Sequence, residues 1–276
     1  MDLRLREVGY GYAGTTTEVL RSIDLDVDAG KVVGLVGPND AGKSTLCLVA
    51  SGLAPTSIGG RLTGSVTLDG VETVSMKPFE AAQRCGILFQ NPLTQLSGTA
   101  PTVFEEVAFG PRNIGLDLRT IVERVEWVLD VLNIGDLAPR DPARLSGGQA
   151  QLVALAAVLA IKPGVLVLDE PTSQLDPAGT HLVGDALANL ANETGTAILV
   201  AEHKTDLLAR MADTIAVLDG GALVEVGPAG SVLGDAKLSE HGVEPPAAVA
   251  VGRAIDEAGV RARLDGIDLA TLGSRR

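Results

Sequence analysis

The chain has 276 residues, of which 46% are hydrophobic and 21% charged, and this balance excludes a disordered, collagen-like or disulfide-dense chain. Its formal net charge of −13 argues against a dedicated nucleic-acid binder, which would present a basic face to phosphates. The two cysteines, Cys47 and Cys85, lie far apart without metal-ligand spacing, so we expect two buried free thiols.

The N-terminus and the apolar stretches predict neither a secretion signal nor a membrane-spanning helix. Residues 1–7 alternate charged and apolar side chains, which is unlike a signal peptide. The longest uncharged apolar stretch, residues 152–161, is half as long as the roughly 20 residues that cross a bilayer. We expect this stretch to form a buried helix.

Short apolar runs between longer helical patterns predict an α/β fold with a largely parallel sheet. In chain order the predicted strands are residues 32–36, 66–68, 87–89, 165–168, 197–201 and 214–218. Most of them are fully apolar, as central parallel strands are, and a helix is predicted at residues 44–51. Between about 99 and 145 the apolar residues recur at helical spacing, which predicts a helical insertion. Trp127 lies inside it, and we expect it to pack in the core.

After Gly227-Pro228 the pattern changes again. Pro245-Pro246 precedes a predicted helix from 247 to about 258, and the chain ends in the polar residues 274–276. We interpret residues 229–276 as a C-terminal extension.

A phosphate-binding pattern occupies residues 37–44. The sequence GPNDAGKS fits GxxxxGK[ST], follows the strand at 32–36 and opens a helix. Such a loop binds phosphate through backbone N–H groups, while Lys43 reaches the β and γ phosphates and Ser44 binds Mg²⁺. A glycine-rich turn that matches by chance is the alternative. The predicted nucleotide contacts are Gly37, Pro38, Asn39, Asp40, Ala41, Gly42, Lys43, Ser44 and Thr45.

Asp40 places a carboxylate where this loop should be electropositive. Aspartate tolerates the left-handed backbone conformation that such loops often need. We therefore expect its side chain to point away from the phosphates.

Two predicted strands end in residues suited to hydrolysis. Asp169 and Glu170 follow the strand at 165–168; Asp169 can support Mg²⁺, and Glu170 can polarise an attacking water. His203 lies just past the strand at 197–201, at the edge where open α/β sheets bind ligands. Alone, a histidine there is more often a solvated loop residue.

Leu145-Ser146-Gly147-Gly148-Gln149 offers a hydroxyl and free backbone amides before a helix, although it could be a plain helix cap. Because it lies between the phosphate loop and Asp169-Glu170, it resembles the signature motif of ATP-binding cassette (ABC) ATPases. The resemblance covers about residues 1–228. It implies a P-loop NTPase with a RecA-like core, an N-terminal antiparallel β part and a helical subdomain at about 93–160.

The resemblance also implies ATP and Mg²⁺ bound in a head-to-tail dimer of two ABC ATPase subunits. Each site would combine one chain's loop with Ser146, Gly147, Gly148 and Gln149 of the other chain. Residues 173–176 look like the D-loop, which adds Asp176 to the site.

Three further residues match family positions. Gln90 is similar to the Q-loop glutamine that contacts Mg²⁺ and senses the membrane partner, and His203 to the switch histidine that faces the γ-phosphate. With Lys43 and Glu170 they complete the predicted catalytic set. Tyr12 matches the aromatic residue that stacks on adenine, with Tyr10 as the alternative.

Within the family, residues 100–111 look most like the ATPases of energy-coupling factor (ECF) importers, which take up vitamins or Co²⁺ and Ni²⁺. Residues 89–92 and the tail around 242–246 point the same way, since ECF ATPases carry a C-terminal extension that helps pair the two subunits. This resemblance implies a peripheral protein on the cytoplasmic side of the cell membrane, with integral membrane partners and no nucleic acid. The alternatives are another ABC transporter class, a non-transport ABC ATPase of DNA repair or ribosomes, and a P-loop kinase.

Two residues depart from the family pattern. Leu152 follows Gln151 where arginine is usual, and Asp40 replaces a glycine. Either change could weaken hydrolysis or create dependence on a more standard partner ATPase. Because Lys43, Gln90, Glu170 and His203 are all present, the sequence predicts an active site.

Overall fold

A computed structural model describes residues 1–257. The strands are β1 (Leu3–Gly11), β2 (Leu20–Val27), β3 (Val32–Val36), β4 (Arg61–Leu68), β5 (Val71–Glu72), β6 (Cys85–Leu88), β7 (Val165–Asp169), β8 (Ala197–Ala201), β9 (Thr214–Asp219) and β10 (Ala222–Pro228). The helices are α1 (Lys43–Ala50), α2 (Pro78–Arg84), α3 (Val103–Asn113), α4 (Leu118–Val131), α5 (Gly147–Leu159), α6 (Pro177–Thr194), α7 (Thr205–Met211), α8 (Ala229–Val232) and α9 (Ala247–Glu257).

The central sheet has the strand order β10-β9-β3-β8-β7-β6. All of its neighbouring strands are parallel except β9 and β10, which pair antiparallel. This arrangement confirms the predicted α/β class. Strands β3 and β8 have the predicted bounds, whereas β6 begins two residues earlier than predicted and ends before Phe89. The carboxyl ends of β3, β7 and β8 meet at one edge, where the predicted site residues follow them.

A second, antiparallel sheet has the order β2-β1-β4-β5, which is the N-terminal antiparallel β part that the family resemblance implied. The strand predicted at 66–68 is the end of β4, and it belongs to this antiparallel sheet, not to the central sheet. Only Val66 and Leu68 of β4 are buried, so the apolar signal covered just this end.

The central sheet is buried on both faces. Val33 and Leu35 of β3 pack with the antiparallel sheet and α1, whereas Val32 and Val36 pack against the helices on the other face. A strand buried on both faces reads as a continuous apolar run. The predicted helix at 44–51 is α1, one residue earlier, and it follows β3 directly through the loop at 37–42.

The predicted helical insertion contains α3 and α4, and α5 follows it. Thr102 caps α3 by accepting a hydrogen bond from the Glu105 N–H at 3.2 Å, and Asp117 caps α4 in the same way. Trp127 is partly buried against the apolar core, as predicted, with the Lys162 ammonium 4.5 Å from its ring centroid. The apolar stretch at 152–161 lies mostly in α5 and is mostly buried.

Both cysteines are free and buried, as predicted. Burial raises the pKa of the Cys85 thiol to about 12. In the C-terminal extension, α9 begins at the predicted residue, while Ala258 and the polar end at 274–276 lie outside the described residues. Within residues 1–257, no helix is both long and apolar enough to cross a membrane.

Candidate nucleotide-binding site

The phosphate loop is held against β9 and wraps around Lys43. A Cβ on Gly37 would lie 2.0 Å from the carbonyl oxygen of Leu218, so only glycine fits there. The Lys43 Nζ donates hydrogen bonds to the carbonyl oxygens of Gly37 at 2.8 Å and Pro38 at 2.9 Å. Burial lowers the pKa of Lys43, an effect that the carboxylates of Glu170 and Asp169 oppose. The loop is thereby closed around its own lysine.

Asp40 adopts the left-handed conformation that the sequence suggested. Its φ is +62° and its side chain is exposed. The charge of Asp40 also opposes the lowering of the Lys43 pKa. Asp40 nevertheless lines the same cavity as Lys43 and Ser44, so the expectation that its side chain points away from the phosphates stays a prediction.

Asp169 has the environment of a cation ligand. Its side chain is 7% exposed, and its Oδ1 has no hydrogen-bond partner among residues 1–257. Burial raises the pKa of Asp169, and the Ser44 hydroxyl and Lys43 ammonium oppose that rise. An unpartnered buried carboxylate oxygen beside a serine hydroxyl fits Mg²⁺.

No group of three or more His, Cys, Asp or Glu side chains that could hold a metal ion occurs in the described part of the chain. Proteins bind Mg²⁺ through one or two protein ligands plus water and phosphate oxygens. Asp169 and the neighbouring Ser44 hydroxyl fit that ligand number.

Glu170 and His203 face each other across the end of the central sheet. The His203 Nε2 lies 3.3 Å from the Glu170 Oε1. Glu170 has φ +50°, and its N–H donates to the Ala201 carbonyl oxygen at 2.9 Å. The buried carboxylate of Glu202 accepts a hydrogen bond from the His203 N–H at 2.7 Å. Hydrogen bonds therefore fix the backbone at Glu170 and the backbone at His203.

A cavity of about 580 Å³ brings all four predicted catalytic residues together. Its walls include Lys43, Ser44, Thr45, Gln90, Glu170 and His203. These residues come from the start of α1 and from the segments that follow β6, β7 and β8, three strands that are adjacent in the sheet. The cavity therefore combines the Lys43 ammonium with hydroxyl, amide, imidazole and carboxylate groups at one sheet edge.

The two tyrosines at the end of β1 have different environments. Tyr10 is fully buried, and its hydroxyl donates to the Gly59 carbonyl oxygen at 2.5 Å. Tyr12 is partly exposed, and its hydroxyl lies 3.0 Å from the Thr45 hydroxyl, beside the phosphate loop. Of these two rings, only Tyr12 has surface available for a base.

The signature residues begin α5 and lie outside the P-loop cavity of their own chain. Ser146 and Gln149 form a reciprocal capping box, with N···O distances of 3.3 and 3.1 Å. Cβ atoms on Gly147 and Gly148 would each lie 3.0 Å from Gln174. Asp176 caps α6 by accepting from the Gly179 N–H at 2.8 Å. Each of these residues therefore also has a local role in its own chain.

Sequence reasoning missed a contact between the C-terminal extension and the phosphate loop. A Cβ on Gly242 would lie 3.3 Å from the Cβ of Pro38. Val243 and Glu244 line a cavity of about 310 Å³ together with Asn39 and His203. The only local signal was a glycine before Pro245-Pro246, which says nothing about what it packs against.

Comparisons with known proteins identify a family and similar folds. The profile of the ABC transporter family matches residues 20–173. A Pyrococcus abyssi protein, "Putative ABC transporter ATP-binding protein", is 38% identical over 262 residues, which are 95% of this chain and 93% of that protein.

Two solved structures are similar over most of the chain. The first is cbiO1 from Clostridium perfringens, described as part of the ABC transporter complex cbiONQ, with a TM-score of 0.73 and 29% identity over 86% of this chain and 92% of that one. The second is the ATP-binding cassette MJ0796 in a dimeric post-hydrolysis state with ADP and Pi. It has a TM-score of 0.72 and 25% identity over 82% of this chain and 98% of that one.

Proposed function

This chain belongs to the ABC transporter family of ATPases, and on that premise we propose that it is the ATP-hydrolysing subunit of an ECF-type importer. The observation that carries the hydrolytic part is the single cavity that joins the phosphate loop, Gln90, Glu170 and His203. The substrate class, a vitamin or a transition-metal ion, rests on the resemblance of residues 100–111 to ECF ATPases.

The proposed nucleotide site uses the loop backbone and Tyr12. The N–H groups between Gly37 and Thr45 bind phosphate oxygens at the start of α1, while Lys43 supplies the cation. Asp169 and Ser44, with Gln90, would hold Mg²⁺. When bound, this ion neutralises charge on the β and γ phosphates.

The proposed hydrolytic step belongs to Glu170. Its carboxylate orients a water for in-line attack on the γ-phosphorus and accepts a proton from that water as the new O–P bond forms. The bond to the leaving ADP oxygen breaks in the same displacement. His203, 3.3 Å from Glu170, holds the carboxylate and faces the γ-phosphate.

A second ATPase subunit completes each proposed site. Ser146 and Gly147 are exposed at the start of α5 and do not line their own chain's P-loop cavity. This arrangement fits a head-to-tail pair in which the signature residues of one subunit cover the nucleotide of the other, with Asp176 nearby. The C-terminal extension, residues 229–276, is proposed to help this pairing.

The proposed membrane partner docks near Gln90 and residues 104–109, and we propose that the chain lies on the cytoplasmic side of the membrane. Leu93 and Phe109 are large apolar side chains that are 70% and 45% exposed in this region. Contact with a membrane protein would cover them.

Copurification from detergent-solubilised membranes tests this assignment. We expect the tagged wild-type chain to retain integral membrane proteins, including small hydrophobic binding proteins, and Leu93→Asp/Phe109→Asp to lose them. Leu118→Asp is the matched control, because Leu118 is also exposed (77%) but lies at the start of α4.

Recovery of no membrane protein with the wild-type chain would contradict the transport role. Tight binding of DNA or RNA at physiological salt, measured by mobility shift, would favour a non-transport ABC ATPase instead.

A further inference from the structure

Gln151 is a buried polar residue in the second turn of α5, directly behind the signature residues. Its side chain has 0% exposure. Its Nε2 donates to the carbonyl oxygen of Pro171 at 3.0 Å and lies 3.5 Å from that of Glu170. Because carbonyl oxygens only accept, these contacts fix the amide nitrogen on the side of the loop after β7. Gln151 therefore joins the signature helix to the loop that carries Glu170.

The backbone at Glu170 needs such support. Its φ of +50° is uncommon for a residue with a side chain, and conformations of this kind persist only where the surroundings hold them. On its amide side, Glu170 donates to Ala201 of β8 at 2.9 Å. Its carbonyl oxygen accepts from the Ser173 N–H at 3.2 Å and lies 3.5 Å from the Gln151 amide nitrogen. The next carbonyl oxygen, that of Pro171, accepts from Gln151 at 3.0 Å. The sheet therefore holds the loop at the Glu170 amide, and α5 holds it one peptide further on.

The Gln151 side chain is not optimised for stability. Its Oε1 has no hydrogen-bond partner within residues 1–257, and an unpartnered buried acceptor is destabilising. Gln151→Met, with a side chain of similar length, would remove the unpartnered acceptor and would also remove the hydrogen bond to Pro171. The first effect stabilises the fold and the second destabilises it. What the substitution certainly removes is the contact between α5 and the loop after β7.

We propose that Gln151 is a positioning residue for ATP hydrolysis. It fixes the loop at the Pro171 carbonyl so that the Glu170 carboxylate faces His203 and the cavity, and it connects this geometry to α5. When the N-terminus of α5 binds the nucleotide of the partner subunit, a displacement of α5 would be transmitted through Gln151 to Glu170 of the same chain. The inference rests on the proposed role of Glu170 as the base.

Steady-state kinetics of Gln151→Met test the proposal, with the full chain in the assembly that hydrolyses ATP. We expect kcat to fall at least about tenfold, because displacing a reacting group by about 1 Å costs up to about 100-fold. KM and the affinity for a fluorescent ATP analogue should stay within about twofold, since Gln151 does not line the nucleotide cavity. Gln151→Leu is the second variant if the methionine variant does not fold.

Val153→Ala is the matched control, because Val153 lies in the same helix with the same 0% exposure but packs only in the apolar core. It should lower Tm and keep kcat within about twofold of wild type.

A kcat for Gln151→Met within about twofold of wild type would overturn the proposal, as would parallel changes in kcat, KM and Tm like those of a merely destabilised protein. Glu170→Gln is measured beside it. If Glu170→Gln still hydrolyses ATP at the wild-type rate, the assignment of the base and this inference both fail. If Glu170→Gln is inactive and Gln151→Met is fully active, only the positioning role fails.

Discussion

Of the single methyl groups that could be added to the phosphate loop, the one added in Gly37→Ala should disturb the loop most. The added Cβ would lie 2.0 Å from the Leu218 carbonyl oxygen, whereas real Cβ atoms stay beyond 3.0 Å. Leu218 belongs to β9, which is paired on both sides, so the loop must withdraw by about 1 Å. Lys43 then moves too, because its Nζ is bonded to the carbonyl oxygens of Gly37 and Pro38.

The expected cost of Gly37→Ala is about 1–3 kcal/mol in the free energy of unfolding. Nucleotide affinity should fall about 100-fold, because the phosphate-binding groups are displaced. Urea unfolding and titration with a fluorescent ATP analogue measure the two effects. Gly230→Ala is the control, since a Cβ there meets nothing within 4 Å and alanine favours the helix by up to about 1 kcal/mol.

The reasoning is refuted if Gly37→Ala unfolds within about 0.5 kcal/mol of wild type and binds nucleotide within about twofold. Lost affinity in Gly230→Ala would also refute it, because that change leaves the loop untouched.

Three further predictions follow from individual side chains. Tyr12→Ala should lower nucleotide affinity at least about fivefold, because the stacking of the ring on the base is lost. Tyr12→Phe loses only the contact with the Thr45 hydroxyl and should bind nucleotide within about twofold of wild type. Equal losses of affinity for the two variants in a fluorescence titration would contradict stacking. Asp169→Asn should reduce hydrolysis at limiting Mg²⁺ at least about 100-fold and raise the Mg²⁺ concentration needed for half-maximal activity, and an unchanged Mg²⁺ dependence would argue against Asp169 as a ligand. The pKa of Cys85 is about 12 when folded and near 9.0 when unfolded, so the folded state keeps its proton longer and stability falls as pH rises above about 9. Urea unfolding from pH 8 to 10 should show a smaller loss of unfolding free energy in Cys85→Ala than in wild type, and the difference should be about 1.4 kcal/mol at pH 10. The same pH dependence in both proteins would contradict burial of the thiol.

The parts of the fold that the sequence predicted are those with a continuous local signal. β3 and β8 are buried on both faces, so every residue in them is apolar and their bounds are unambiguous. β10 has an exposed side with Val224 and Val226 among its exposed residues, and its alternation is too weak to distinguish from a loop. The antiparallel sheet was expected only from the family resemblance.

The candidate site divides in the same way. Lys43 and Ser44 belong to one short motif, and Glu170 adjoins the end of one apolar strand, so spacing alone identified them. The contacts of Gly242 with Pro38 and of Gln151 with Pro171 join segments that are distant in sequence. Such pairings depend on how separate elements pack, and no spacing rule in the chain encodes them.

The central claim is that the chain hydrolyses ATP with Glu170 as the base, and turnover of Glu170→Gln tests it most directly. Glutamine keeps the shape of the side chain and removes the proton acceptor beside His203. We predict that kcat falls at least about 100-fold while ATP binding stays within about twofold of wild type. Hydrolysis at a near-wild-type rate would contradict the account.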